Sequence, residues 1–264
     1  MTDTHRPLAL VTGASSGIGA DLARELARDG HDLVLTARRV EPMAALAREL
    51  ATHGVNATVV AADLAQPGAA ARLADEIASR GVVVDVLINN AGLGANGSFV
   101  ESDPARNAEM LQVNVVALTE LTRLLLPGMV ARRRGRVMLM ASTAGFQPGP
   151  QMAVYCATKA YVLNLGEAIA YELRGTGVTV TTVCPGATAT NFSQVAKAGN
   201  TGLFKGGPIP VMTSAAVARG AYRALKAGRR VAIIGALNKL VAYSGRFSPR
   251  LLSLPIARAM MSER

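Results

Sequence analysis

Three residues in the middle of the chain have the types and the spacing needed to move a proton. Tyr155 and Lys159 are four positions apart, and Ser142 ends an apolar run thirteen residues before Tyr155. Residues four apart share one face of a helix, so a helix here would hold the phenol beside the ammonium group. Together with a hydroxyl, this pair can exchange a proton with a carbonyl or alcohol oxygen. Such a site performs redox chemistry when a separate molecule carries the hydride.

The segment predicted to bind that hydride carrier lies near the N-terminus. The apolar run 8–12 leads into a glycine-rich turn, residues 13–19, that opens a helical pattern. Glycines let the backbone approach a pyrophosphate, and the first amides of the helix bind its negative charge. The spacing is GxxxGxG rather than GxGxxG, and such a turn alone also fits an ordinary strand-to-helix connection. The predicted cofactor contacts in this turn are Gly13, Ser15, Ser16, Gly17, Ile18 and Gly19.

The end of the second predicted strand indicates which dinucleotide is bound. An acidic residue at this position would bind the adenosine ribose hydroxyls and favour NAD(H). This chain has Arg38 and Arg39 instead, and an arginine can pair with the 2′-phosphate of NADP(H). We therefore predict NADP(H) as the cofactor. NAD(H) is the alternative, because two solvated arginines before a helix would give the same pattern.

Residues after the third and fourth predicted strands extend the cofactor site. Asp63 ends the third strand, where its carboxylate could accept a hydrogen bond from an adenine amino group. It could equally cap a helix. Asn90, Ala91 and Gly92 follow the fourth strand and are small enough to let the backbone lie against a dinucleotide. A plain turn is the alternative for these three residues.

The chain alternates short apolar runs with longer amphipathic stretches. This alternation predicts repeated βα units, and hence an α/β fold with a doubly wound parallel sheet of about seven strands and helices on both faces. With 264 residues, half of them apolar, we expect a single domain over 1–264. The longest helical candidates are 111–131 and 153–174. The predicted strands are 8–12, 32–37, 57–61, 85–89, 136–142, 178–184 and 230–234.

Composition argues against several other classes of protein. Cys156 and Cys184 form no CxxC pair and no disulfide framework, so we predict an intracellular, cytoplasmic protein without a secretion signal. Charges and glycines interrupt every apolar run before the roughly 20 residues needed to cross a membrane. His5, His31 and His53 lack the spacing of metal ligands, so no metal is predicted. Despite a net charge of +10, aromatic residues are few, which argues against nucleic acid as a partner.

Two segments near the C-terminal end depart from the α/β pattern. Residues 187–211 are rich in glycine and proline, which predicts a mobile loop that forms a lid over the site. Residues 238–264 mix apolar and basic residues, as an interfacial membrane helix would, but prolines at 249 and 255 limit any single helix. A tail that packs over the lid or on a neighbouring subunit fits this pattern too. We do not favour peripheral membrane contact.

The loops expected around the substrate are mostly small and apolar. Phe146, Phe192, Leu203 and Phe204 are placed where their side chains could line a cavity. These residues predict a hydrophobic ketone, aldehyde or secondary alcohol as the small-molecule substrate.

The order of the motifs resembles that of the short-chain dehydrogenase/reductase family over nearly the whole chain. The resemblance implies a Rossmann fold, hydride transfer to or from nicotinamide, and a homodimer or homotetramer built from the two long helices. The matching residues are the turn at 12–19, Asp63, residues 89–92, Asn114, Ser142, Tyr155 with Lys159, and Pro185 and Gly186 with Thr188.

The resemblance also implies a role for each residue of the site. Tyr155 is the general acid in reduction and the base in oxidation, while Lys159 lowers the pKa of its phenol and binds the nicotinamide ribose. Ser142 binds the substrate oxygen, and Asn114 bends its helix around a water that relays protons to Lys159. Thr188 bonds the nicotinamide carboxamide. The residues implied around the nicotinamide are Tyr155, Lys159, Pro185, Gly186 and Thr188.

Two other functions are possible on the same fold. A dinucleotide sensor or scaffold would bind the cofactor without turnover, but it has no chemical need of Ser142, Tyr155, Lys159 and Asn114 together. An epimerase or dehydratase on the same fold would use the same proton-transfer groups. Cys156, next to Tyr155, is interpreted as a buried structural residue rather than a reactive thiol.

Overall fold

The computed structural model describes residues 6–196, 198–199, 201–202, 204, 210–247 and 250–262. Its strands are β1 Leu8–Thr12, β2 Asp32–Ala37, β3 Ala57–Ala61, β4 Val84–Asn89, β5 Gly135–Met140, β6 Val178–Pro185, β7 Thr188–Ala189, β8 Met212–Thr213 and β9 Val231–Ile234. Seven of these form one parallel sheet in the order β3-β2-β1-β4-β5-β6-β9. The predicted doubly wound sheet is confirmed.

Helices cover both faces of this sheet. Its strands are therefore buried on two sides, and β4 is buried at every residue. The helices are α1 Gly17–Arg28, α2 Val40–Ala51, α3 Ala69–Ser79, α4 Pro104–Leu111, α5 Leu118–Ala131, α6 Ala153–Glu172, α7 Asn191–Val195, α8 Ser214–Lys226, α9 Ala236–Phe247 and α10 Arg250–Met261. On one face, α1, α2 and α8 pack through apolar side chains such as Leu26, Met43 and Leu225. On the other face, α3, α4, α5 and α6 pack in the same way.

The order of the strands fixes where a ligand can bind. The chain runs outward from β1 to β2 and β3, then returns to place β4 on the other side of β1. A crevice forms at the carboxyl ends of the strands where the order reverses. The Thr12 hydroxyl holds the two sides together, because its Oγ1 accepts hydrogen bonds from the amides of Asn90 and Ala91, both at 3.0 Å.

The helix predicted at 111–131 is longer and less regular than expected. It begins at Pro104, where the Asp103 carboxylate accepts a hydrogen bond from the Ala105 amide at 2.9 Å. A π-helical turn, Gln112–Ala117, joins α4 to α5. By length and composition, Pro104–Ala131 is a candidate membrane span, contrary to the expectation that every apolar run is interrupted. Buried side chains such as Met110 and Leu121 make it a core helix of this domain.

The two segments predicted to be irregular contain regular structure. Residues 187–211 hold β7 and α7, and the Thr190 hydroxyl caps α7 by accepting from the Phe192 amide at 3.3 Å. The predicted loop therefore contains short regular elements between residues 188 and 195, and its role as a lid stays a prediction. The C-terminal segment forms α9 and α10, and α10 continues through Pro255. Proline there removes one helix hydrogen bond, but it does not end the helix. The proline at 249, like His5 and Leu203, lies outside the described residues.

Candidate active site

A cavity of about 620 Å³ opens at the carboxyl edge of the sheet. It brings together the glycine turn, the arginines after β2 and the proton-transfer residues, which are far apart in sequence. Gly19 and Asn114 do not line it. The sequence-predicted residues that do are Gly13, Ser15, Ser16, Gly17, Ile18, Arg38, Arg39, Asp63, Asn90, Ala91, Gly92, Ser142, Tyr155, Lys159, Pro185, Gly186 and Thr188.

The glycine turn is shaped to admit a ligand backbone or phosphate group. Gly13 has φ +67°, and a Cβ there would lie 2.8 Å from Asn90 Nδ2. That amide holds the turn by donating to the carbonyl oxygens of Thr12 at 3.0 Å and Gly13 at 3.3 Å. Gly19 lies behind the turn, where a Cβ would come within 2.4 Å of Asn90 Nδ2. Gly19 therefore allows close packing, and its predicted direct contact with the cofactor is not seen in the cavity lining.

The N-terminus of α1 borders the cavity through Gly17 and Ile18. Gly17 has φ +57°, and a Cβ there would lie 3.0 Å from Thr190 Cγ2. The space between the turn and Thr190 thus admits only glycine, and the first amides and positive dipole end of α1 suit a pyrophosphate. Thr190 was not predicted as a site residue, because nothing in its sequence context indicates contact with the glycine turn.

Two arginines, Arg38 and Arg39, line the part of the cavity that is predicted to hold the adenosine. Arg39 Nη2 lies 3.5 Å from Ser15 Oγ, and Arg38 Nη1 lies 3.3 Å from Glu109 Oε1. Two cationic groups beside a hydroxyl suit a 2′-phosphate. Asp63 Oδ1 accepts from the Ala65 amide at 3.2 Å, and so stabilises the turn after β3. It caps no helix, because α3 begins six residues later.

Ser142, Tyr155 and Lys159, the residues predicted to transfer a proton, line the same cavity. Lys159 is 4% exposed, and its Nζ donates to the Met140 carbonyl oxygen at 2.7 Å. The same Nζ lies 5.8 Å from the centre of the Tyr155 ring. Burial lowers the pKa of Lys159 to about 8. The Ser142 hydroxyl accepts from the Ala144 amide at 3.1 Å and lies 3.4 Å from the Pro185 carbonyl oxygen.

The pKa of Tyr155 is raised, not lowered. Burial is the main cause, and a hydrogen bond with Ser142 opposes it. In the protein alone, desolvation of the phenol outweighs the interactions that oppose it. The lowering of this pKa by Lys159 stays a prediction. A phenol with a raised pKa is protonated near neutral pH, and it can serve as a proton donor to an oxygen that develops negative charge.

Asn114 fastens two parts of the site together. Its Nδ2 donates to the Leu93 carbonyl oxygen at 2.9 Å and to Thr158 Oγ1 at 3.0 Å, while its Oδ1 accepts from the Leu93 amide at 2.8 Å. Asn114 thus joins the loop after β4 to α6, from within the π-helical turn. A Cβ on Gly92 would lie 3.4 Å from both Asn114 Oδ1 and Lys159 Nζ. The proton relay through a water stays a prediction.

The loop after β6 is held by side chains near and far in sequence. Thr188 Oγ1 donates to the Gly186 carbonyl oxygen at 2.9 Å. Gly186 packs against Asn238, since a Cβ there would lie 2.4 Å from Asn238 Oδ1. Asn238 is buried in α9 and donates to the Ile234 carbonyl oxygen at 2.7 Å. Sequence patterns give no signal for this support, because a lone asparagine on a helix is ordinary.

Apolar side chains form much of the lining near Tyr155, although polar residues such as Gln147 and Gln194 also line the cavity. Phe192 packs at 5.3 Å from the Tyr155 ring, and Phe204 also lines the cavity, as predicted. Phe146 instead packs against Tyr243 at 6.3 Å and is not among the lining residues. Several lining residues that were not predicted come from α9, from α10 and from the residue that precedes α6. They include Met152, Val241, Ala242, Ala257 and Met261.

Cys156 should be inert towards thiol reagents in the native protein. It is 2% exposed, packs with Met152 and Met261, and burial raises the pKa of its thiol to about 11. Because the thiolate is the reactive form, we expect labelling by a disulfide reagent to be slower than in the unfolded chain by ~100-fold or more. Rapid stoichiometric labelling of the native protein, in a Cys184→Ala background, would contradict this expectation.

Within the described residues, no group of three or more His, Cys, Asp or Glu side chains is arranged to hold a metal ion.

Comparison with known proteins identifies the relatives of this chain. Residues 7–201 match the family model described as short chain dehydrogenase. A ketoacyl reductase, HetN, from Nostoc is 32% identical over 255 residues, which cover 94% of this chain and 88% of that protein.

Solved structures give the same result. A short-chain dehydrogenase from Sphingobium yanoikuyae, in complex with NADPH, has a TM-score of 0.80 at 34% identity, covering 94% of this chain and 95% of that one. A bulky-bulky ketone specific alcohol dehydrogenase from Comamonas testosteroni has a TM-score of 0.76 at 31% identity, covering 95% of both chains.

Proposed function

Because this chain belongs to the short-chain dehydrogenase family of oxidoreductases, we propose that it transfers a hydride between NADP(H) and a carbonyl or secondary alcohol group of an apolar substrate. One observation carries the proposal. Ser142, Tyr155 and Lys159 line the same cavity as the glycine turn, whose close-packed glycines leave room for a dinucleotide.

Each residue of the site has a role in this reaction. A bound nicotinamide supplies or accepts the hydride at the substrate carbon. In reduction, the Tyr155 phenol gives its proton to the substrate oxygen, and the Ser142 hydroxyl donates a hydrogen bond to that oxygen as its charge develops. The ammonium group of Lys159 stabilises the phenolate that remains. Asn114 forms hydrogen bonds both to the loop after β4 and to α6, and so fixes their relative position. In oxidation the proton moves the other way.

NADP(H) is proposed as the cofactor on the strength of Arg38 and Arg39. Both arginines line the cavity, where Arg39 lies within 3.5 Å of the Ser15 hydroxyl. Their guanidinium groups suit the 2′-phosphate that NADP(H) has and NAD(H) lacks. The NADPH complex of the Sphingobium relative supports this assignment.

Steady-state rates with NADPH and with NADH test the choice of cofactor. We expect kcat/KM for NADPH to exceed that for NADH by ~10-fold or more, since a charge-assisted contact to the phosphate contributes about 1.5–3 kcal/mol. A bulky apolar ketone held at a fixed concentration serves as the acceptor in both assays. Equal efficiencies, or a preference for NADH, would contradict the assignment.

We propose an uncharged, bulky and apolar substrate. Apolar residues such as Met152, Phe192 and Met261 line the cavity near Tyr155, and the polar lining residues from the neighbouring loops, such as Gln147 and Gln194, carry no charge. A charged substrate group would be desolvated there without a partner. The ketone specificity of the Comamonas relative and the ketoacyl chemistry of the Nostoc relative both fit a carbonyl compound with an apolar body.

The sensor and the epimerase or dehydratase remain competing hypotheses for the same cavity. A sensor would bind NADPH and turn over no substrate. An epimerase or dehydratase would release a product without a net change in the cofactor. The redox stoichiometry of the reaction separates both from the proposed function.

We propose that the protein is a cytoplasmic homodimer or homotetramer. Apolar side chains on the outer faces of the long helices support assembly, because Leu111, Leu124 and Tyr161 are each at least 40% exposed. A monomer mass by light scattering would contradict it. Peripheral membrane contact through 238–264 is the less favoured alternative, and equal pelleting with anionic liposomes with and without residues 240–264 would exclude it.

A further inference from the structure

Arg38 already forms an ion pair within the protein, with the carboxylate of Glu109. It borders the cavity, yet its Nη1 lies 3.3 Å from Glu109 Oε1 on α4. The Arg38 side chain is 56% exposed and that of Glu109 is 26% exposed. The carboxylate is thus the more shielded partner, and water screens its charge less than that of a fully solvated group.

The second carboxylate oxygen of Glu109 is connected through Arg106 to the loop after β4. Glu109 Oε2 accepts from Arg106 Nη1 at 2.6 Å, and Arg106 Nη2 donates to the Gly94 carbonyl oxygen at 3.2 Å. Gly94 packs against Phe192, since a Cβ on Gly94 would lie 2.4 Å from Phe192 Cζ. The Glu109 carboxylate therefore contacts two arginines. Arg38 lines the cavity, and Arg106, on α4, donates to the loop after β4.

We propose that Glu109 is a positioning residue that tunes cofactor choice by competing with the 2′-phosphate of NADP(H) for Arg38. The inference rests on the proposed use of NADP(H). A guanidinium group that is already paired with a carboxylate gains less from a phosphate than a free one does. Glu109 also repels the phosphate directly. NADH has no 2′-phosphate, so this competition does not affect its binding.

The competition predicts the sign of a substitution effect. Glu109→Gln keeps the size of the side chain and a hydrogen-bonding oxygen but removes the charge. Because exposed ion pairs contribute up to about 1 kcal/mol, we expect the Kd for NADPH to fall by roughly three- to five-fold. The Kd for NADH should stay the same. Arg106→Gln should have the opposite sign, because it leaves Glu109 to pair with Arg38 alone.

A double-mutant cycle tests the mechanism. Dissociation constants for NADPH and NADH are measured calorimetrically at one salt concentration for the wild type, Glu109→Gln, Arg38→Gln and the double variant. If Glu109 acts through Arg38, its substitution should change the Kd for NADPH by less than ~1.5-fold in the Arg38→Gln background. Glu76→Gln is a matched control, since it breaks a comparable ion pair with Arg80, at 2.7 Å, away from the cavity lining.

The outcomes separate this inference from the function on which it rests. Tighter NADPH binding in Glu109→Gln, lost in the double variant and absent in Glu76→Gln, supports the competition. An unchanged or weaker NADPH affinity in Glu109→Gln overturns it, even if Arg38→Gln weakens NADPH relative to NADH. If Arg38→Gln leaves both affinities unchanged, the assignment of the 2′-phosphate to Arg38 fails, and the inference fails with it.

Discussion

Replacement of Tyr155 by Phe should lower kcat for ketone reduction by about 1,000-fold, because positioned proton donors contribute roughly 100- to 10,000-fold. The phenol lines the cavity together with Ser142, and the Tyr155 side chain is partly buried. Phenylalanine keeps the ring that packs against Phe192 at 5.3 Å but removes the only group of that side chain able to give a proton. The measurement is the initial rate of NADPH oxidation with a saturating apolar ketone.

Two controls make this result specific. Tyr171→Phe removes a phenol from the same helix at a position that is 60% exposed, and it should leave the rate unchanged. The Kd for NADPH, measured on Tyr155→Phe, should show that the cofactor still binds. A Tyr155→Phe variant that retains a tenth or more of the wild-type kcat would contradict the assigned role.

Replacement of Gly166 by Ala should destabilise the fold by about 2 kcal/mol or more, as expected for an overpacked core. A Cβ on Gly166 would lie 1.9 Å from Thr182 Oγ1 and 3.2 Å from Leu139 Cδ1, so either α6 or the Thr182 side chain must shift. The gain in helix propensity of about 1 kcal/mol is too small to offset this clash. Thermal unfolding should show a Tm lowered by roughly 4–10 °C.

The matched control is a helical glycine with space around it. At Gly128 in α5, a Cβ would meet only the flexible end of Arg132, at 3.1 Å. Gly128→Ala should therefore keep or raise the Tm. Thr182→Ala removes the clashing hydroxyl, which has no hydrogen-bond partner within the described residues. The double variant Gly166→Ala/Thr182→Ala should recover stability relative to Gly166→Ala; no recovery would contradict the packing explanation.

The sheet and the two motifs could be predicted from sequence because their signals are local. The strands of a parallel sheet are buried on both faces, so each is a continuous apolar run, and predicted bounds such as 32–37 match β2. The glycine turn and the Tyr155–Lys159 spacing are equally local. Their convergence follows from the strand order, which places the carboxyl ends of β1, β4 and β5 side by side.

The rest of the site depends on contacts between distant residues. Met261 packs against Met152 and Cys156 across more than a hundred positions, and no local pattern predicts that contact. Pro255 was expected to limit a helix, but packing of α10 against the cavity, through Ala257 and Met261, holds the helix through it. The pKa of Tyr155 could not be predicted either, because burial depends on the folded environment.

The central claim is that Ser142, Tyr155 and Lys159 carry out a redox reaction on a carbonyl group. The most direct measurement incubates the enzyme with NADPH and a bulky apolar ketone, and quantifies NADP and the product alcohol together by mass spectrometry. We predict one alcohol formed for each NADPH consumed, with the reverse reaction seen from the alcohol and NADP. A product formed without any net change in NADPH, or NADPH bound with no turnover of any ketone tested, would contradict the account.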